Sequence, residues 1–175
     1  MEILDVEKVL YEIGGDNTDD SEVALVDTTD LADVAKRCHV LVVDDSSVAR
    51  NQVKRVLEKL GIKVTLCHDG RAALRQLEAW ADSNAEELQR LAIVISDVEM
   101  PEMDGYTLTS EIRKHEKFKK LIVLLHTSLS GVFDSSLLEH VAADGFLAKF
   151  DEAELLTAVK TQIEKFSVTL DERGL

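Results

Sequence analysis

"AIVISDVEMPEMDG", residues 92–105, opens with Ala92 to Ser96, suited to a fully buried strand, and runs straight into the carboxylate of Asp97. More acids follow around Pro101, the only proline in the 175-residue chain. An unbroken apolar run ending in a turn-forming cluster fits a strand covered on both faces, as in a parallel sheet between helices. Such a strand has no evident reason to end in an outward-aimed acid.

Outward from this run, short apolar stretches recur at 39–43, 63–67, 121–125 and 145–148, alternating with amphipathic ones. Val53, Val56, Leu57 and Leu60 fall at helical spacing, with Ser46 or Ser47 as N-cap and Gly61 as stop. The same period returns in Ala73, Leu74, Leu77 and Trp80, in Leu108 and Ile112, in Leu137, Leu138 and Val141, and in Leu155, Val159, Ile163 and Phe166. Asp151, with Glu154 three residues on, is placed to cap the last helix. Residues 84–91 are expected to add one helical turn before the third strand. Five strand–helix units in alternation predict an α/β fold, a parallel sheet with helices on both faces.

Ligands of such sheets bind beyond the carboxyl ends of the strands. Here the first strand ends in Asp44-Asp45, the third in Asp97, the fourth in Thr127-Ser128 and the fifth in Lys149. Singly, an aspartate after a strand is more often a cap or turn former. Capping, however, explains neither the lysine nor the hydroxyl at the other ends. Carboxylates gathered this closely repel one another and rise in pKa unless a cation joins them, and Mg2+, which accepts a few carboxylate oxygens plus a phosphate oxygen, suits the set. A carboxylate can also attack phosphorus to give an aspartyl phosphate. Asp97 is the natural nucleophile, with Lys149 and Thr127 placed to stabilise the transferring group.

Charge narrows the classes. The net charge is -14, and residues 1–38 hold 11 acids against 3 bases. Such a surface repels phosphate backbones and anionic lipids, so no nucleic acid and no membrane insertion are expected. The basic run Arg113-Lys114-His115, with Lys117, Lys119 and Lys120, reads as favourable charge at a helix C-terminus. No apolar run reaches the length of a membrane span and no secretory signal opens the chain, which predicts a cytoplasmic protein. Cys38 and Cys67 lack metal or disulfide spacing, and His68, His126 and His140 are scattered. Trp80 reads as core and Ser130-Gly131 as a turn.

The segments "VVDDSSVAR", "SDVEMPEMDG", "HTS" and "GFLAK" resemble those of response regulator receiver domains, over about Val40 to Phe166. The resemblance implies a flavodoxin-like (βα)5 doubly wound sheet of strand order 2-1-3-4-5. It also implies that Asp97 takes a phosphoryl group from a sensor histidine kinase. By position, Asp45, Asp97 and the Glu99 backbone carbonyl would hold Mg2+, with Asp44 acting through water. Thr127 and Phe146 would be the switch residues, and Lys149 would pair with the phosphoryl group. Receivers commonly carry proline directly after that lysine; Phe150 stands here, and a trans bond with a slightly altered loop is expected. Such a domain is a signalling phosphoacceptor, with no enzymatic role beyond intrinsic autophosphorylation and autodephosphorylation.

Within that family the likeness is greatest to the C-terminal receiver of CheV-type chemotaxis coupling proteins, whose partners are a CheA-like kinase and the chemoreceptor signalling complex. "EILDVEKVLYEI", residues 2–13, looks like the end of a CheW-like coupling domain, and residues 14–34 carry seven acids and no base, as a linker would. The division expected is coupling-domain remnant plus linker at 1–38, receiver at 39–168 and tail at 169–175. The chain starts too late to hold a whole coupling domain, as an excised fragment would, and its end after the fifth helix leaves no DNA-binding module. A stand-alone CheY-like regulator is the alternative. A haloacid-dehalogenase-like phosphohydrolase would need aspartate where Glu99 stands, and a nucleotide-binding domain would need glycines in the Asp-Asp-Ser-Ser turn.

Overall fold

The computed structural model describes residues 31–128 and 142–175. Strands β1 (His39–Val43), β2 (Lys63–Cys67), β3 (Leu91–Asp97), β4 (Ile122–Thr127) and β5 (Gly145–Ala148) form one parallel sheet in the order β2-β1-β3-β4-β5. This is the flavodoxin-like order the resemblance implies. Helices α1 (Ser47–Lys59), α2 (Gly70–Ser83), α3 (Glu86–Gln89), α4 (Gly105–Lys114) and α5 (Glu152–Arg173) connect or follow the strands. The helix expected around Leu137, Leu138 and Val141, and the turn at Ser130-Gly131, lie outside the described residues.

Alternating strand side chains feed two cores. Val40, Val42, Ile93, Ile95 and Leu124 face one side and pack with α1 and α5. Leu41, Val43, Val94, Val123 and Leu125 face the other and pack with α2 and α4. Both faces of β3 are buried along its whole length, which is why it reads as an uninterrupted apolar run.

The ends of the helices follow their local chemistry. Ser46 caps α1 through Ala49 N–H. Gly61, at φ +93°, closes that helix, with Ile62 N–H bonded back to Leu57 O. A left-handed residue there lets the chain turn while those carbonyls keep partners. Asp151 caps α5 through Glu154 N–H, but the Glu154 carboxylate reaches Ala148 N–H instead of its own cap residue, tying the helix to β5.

Both ends of the receiver region extend past the sequence-based boundaries. The expected tail over 169–175 continues α5 to Arg173, then closes on Gly174 at φ +72° with Leu175 N–H bonded to Leu170 O. Leu170 is fully buried. Upstream, residues 31–37 are helical and place Val34 and Ala35 in the core, while Arg37 donates to Asp171 and to Leu175 O. Leu170→Ala should therefore lower unfolding stability by about 2–4 kcal/mol, the usual cost of a buried Leu→Ala cavity. Urea denaturation checks this, and a change within a few tenths would return these residues to a tail.

Candidate functional site

Asp44 follows β1 directly and Asp97 ends β3, its neighbour in the sheet, so the strand order alone brings the two acids together. Asp97 is 4 % exposed and Asp44 2 %, while Asp45 is exposed. Each of these three can bring a carboxylate oxygen within 4.8 Å of the others. Lys149, just after β5, lies across them, its Nζ 3.1 Å from Asp44 Oδ2 and 3.2 Å from Asp97 Oδ1.

Local backbone geometry fixes the acids. Asp44 Oδ1 accepts from Ser46 N–H at 2.9 Å, and Arg50 Nη1 donates to the Asp44 carbonyl at 2.7 Å. Asp44 Oδ2 is buried without a hydrogen bond, so its meeting with Lys149 is ionic. Asp97 Oδ1 accepts from Glu99 N–H at 3.3 Å, and the Glu99 side chain is exposed.

Burial first, and the Asp44 charge second, push the Asp97 carboxyl up to about 6, against the pull of Lys149 and the Glu99 N–H. Burial works to lower the Lys149 ammonium, but Asp44 and Asp97 outweigh it and raise it. Two buried acids and one lysine leave negative charge uncompensated, and the buried Asp44 oxygen still lacks a hydrogen bond. A hard divalent cation fits this donor set.

Thr127 is the last residue of β4, buried, and its carbonyl accepts from Lys149 N–H at 2.8 Å. Phe146 is partly buried against the α2–α4 core. Leu125 pairs in register with Phe146 and Thr127 with Ala148, so Thr127 and Phe146 stand on the same face of the sheet. All peptide bonds among the described residues are trans, including Lys149–Phe150, and Phe150 adopts φ +66° with its ring exposed.

Two features near this site, Arg50 and Gly105, were not singled out from sequence, and a third, His126, was read there only as one of the scattered histidines. Arg50 lies one helical turn beyond Asp45, where only the fold shows its aim. Gly105 approaches the Asp97 backbone closely; an added Cβ would sit 2.3 Å from the Asp97 carbonyl oxygen. His126 pairs in register with Asp97 but is buried beneath α1 and α5, and burial with the Lys149 charge holds its ring neutral, near 4. No metal-ligating set forms around it among the described residues. Cys38 and Cys67 are buried free thiols, pushed by burial up to about 11, as inert cysteines are.

This sheet order, with two buried acids and a lysine at its carboxyl edge, defines a class, and the pattern of the response regulator receiver domain matches residues 40–160. The chain belongs to that family. It is 32% identical to the chemotaxis protein CheV3 of Helicobacter pylori over 72% of this chain and 41% of the relative. CheV1 of the same organism is 23% identical over 94% of this chain and 49% of its own length. The chain thus spans about half the length, or less, of these relatives. PilG of Pseudomonas aeruginosa is 33% identical over 73% of this chain and 89% of its own length. Among solved structures, the response regulator TrrA of Thermotoga maritima in complex with Mg2+-BeF matches at TM-score 0.59 and 30% identity, over 71% of this chain and 98% of that one. No described helix is long and apolar enough to cross a membrane.

Proposed function

We propose that the chain is the phosphoacceptor receiver of a chemotaxis coupling protein of the CheV type, phosphorylated at Asp97 by a CheA-like sensor kinase. The observation that carries this reading is a buried carboxylate at the end of the central strand, raised to about 6 yet ionised at neutral pH, between Asp44 and Lys149. An Asp97 oxygen attacks phosphorus, and the donor's P–N bond (phosphohistidine) or P–O bond (acyl phosphate) breaks. The leaving group departs with the electron pair. Lys149 offsets charge on the phosphoryl oxygens, and the Thr127 hydroxyl donates to one of them. Asp45, Asp97 and the Glu99 carbonyl, with Asp44 acting through water, would hold Mg2+, which would supply positive charge beside the transferred group.

Intact-mass spectrometry of the full chain with a small acyl phosphate tests this. Wild type should gain one phosphoryl group only with Mg2+ present, and Asp97→Asn none. Equal uptake by the two would sink the assignment. Thr127→Ala should still take up phosphate, yet lose most of the NMR shift at Phe146 that phosphorylation causes in the parent. An unchanged Phe146 response would refute the coupling between the two switch positions.

Of the residues expected to precede the receiver, 1–30 are proposed as the end of a CheW-like domain plus linker, through which phosphorylation adjusts contact with the chemoreceptor complex. The alignment with CheV1 over 94% of this chain supports that organisation. PilG, matched over 89% of its own length and 73% of this chain, keeps the stand-alone regulator as the alternative. Sequencing the transcript upstream of Met1 decides between them.

A further inference from the structure

At the end of the sheet remote from Asp97, a groove of about 350 Å³ lies between the α4–β4 connection and the last three turns of α5. The starts of β3 and β4 form its floor, with Leu91 and Ala92 buried and Ile122 partly buried. Gln162, Lys165, Phe166, Thr169 and Arg173, at the spacing of one helix face, form the α5 wall. Along β3, Ala92 lies about 16 Å before Asp97 at 3.3 Å per residue, so the groove is separate from the phosphorylation site.

Its charged lining residues are Lys117, Lys120, Lys165 and Arg173, with no acid among them. Lys117 Nζ donates to Ala81 O at 2.9 Å, and Arg173 donates to Gln89 O and lies 5.8 Å over the Phe166 ring. Backbone carbonyls hold these two cations in place without cancelling their charge. Lys120 and Lys165 are exposed and have no carboxylate partner among the described residues, and the nearby Glu116 is taken by Lys119 at 3.0 Å. Four uncancelled cations over an apolar floor, in a chain of net charge -14, are complementary to an anion that carries an apolar body. Size narrows the class further. One turn of α-helix, about 10 Å across and 5.4 Å long, fills about 420 Å³, more than the groove holds. Small-ligand pockets, by contrast, begin at about 300 Å³ and combine apolar walls with a few polar groups.

We propose that this groove binds a small organic anion, an apolar body bearing a carboxylate, sulfonate or phosphate group. The body lies on Leu121, Ile122 and Phe166, and the charged group meets Lys120 and Lys165 at the groove mouth. Bound there, the anion joins the last turns of α5 to the start of β4 and leaves the Asp97 end of the sheet untouched.

Amide NMR of the isotope-labelled full chain, titrated with anilinonaphthalenesulfonate as the probe, tests it. Shifts should saturate and fall on residues 120–122 and 162–169, while 44–46 and 97–99 stay in place. Lys120→Gln with Lys165→Gln, both at exposed positions, should weaken binding about tenfold, as the loss of two exposed ion pairs would. Hexaglutamate, which has charge and no apolar body to bury, should bind more weakly than the probe by about tenfold or more. Shifts scattered over the surface, or an affinity the two substitutions leave unchanged, would overturn the proposal. Hexaglutamate binding as tightly as the probe would also overturn it, by making the groove a seat for acidic peptides. So would a dimer that sediments without probe and dissociates in the double variant, since a second copy would then be the occupant.

Discussion

Gly105→Ala should destabilise the receiver by about 3 kcal/mol, at the upper end of what overpacking costs. Helix propensity predicts the opposite, because Ala in a helix is favoured over Gly by about 1 kcal/mol. Gly105 is the first residue of α4, capped by Asp104, and its N–H bonds to Val98 O at 2.8 Å. A Cβ there meets the Asp97 carbonyl oxygen at 2.3 Å, Leu125 Cδ2 at 3.1 Å and Val98 Cα at 3.1 Å. A side-chain tip can swing aside, but two of these neighbours are backbone atoms of β3 and the residue after it. The helix must shift away from the strand, and the loop carrying Glu99 moves with it. Urea denaturation should show the midpoint falling; a variant about 1 kcal/mol more stable would mean propensity wins and the close approach is relieved at no cost.

Lys149→Met should cost about 2–4 kcal/mol at pH 8 without metal, because it leaves two buried carboxylates facing each other. It should also slow phosphoryl uptake by about 100-fold, a typical loss for one electrostatic contact. The pH dependence fixes the cause. Asp97 is raised in the folded state, so its contribution to stability is present below its unfolded pKa and is lost as pH rises through about 6. Without the ammonium, Asp97 rises further, and the destabilisation should be small at pH 5, where it is protonated, and largest at pH 8. Mg2+ should recover much of the loss at pH 8. A penalty equal at both pH values and blind to Mg2+ would reduce Lys149 to a packing residue.

The central sheet and most of the acidic edge were legible because each strand carries its own signal. β3 is buried on both faces and reads as one apolar run, and the residues at the strand ends need only the sheet order to meet. The end of α5 was harder. Past Phe166 the sequence turns polar, with Leu170 alone continuing the apolar period, although Arg173-Gly174 is a helix-stop pair in plain view. Residues 31–37 were read as linker because their surroundings are acidic, yet Val34 and Ala35 find a core that no local pattern reveals. The capping pattern at Asp151 was half right: its acid caps the helix, while Glu154 turns to a strand that lies beside it only in three dimensions. Gly105 looks like an ordinary turn glycine until the strand it touches is known.

Phe150 bears on which sequence changes remain open to this chain. Its φ of +66° is a conformation proline cannot adopt, since the proline ring holds φ near -65°. Placing at 150 the proline that receivers commonly carry after the lysine is therefore not a neutral change here. It would rebuild the turn that aims Lys149 at two buried acids, and losing that aim is penalised before any gain from the new residue is felt. Glycine at 150, by contrast, keeps the turn and relieves strain. The position illustrates epistasis in a small loop: the residue tolerated at one site depends on the backbone path its neighbours impose.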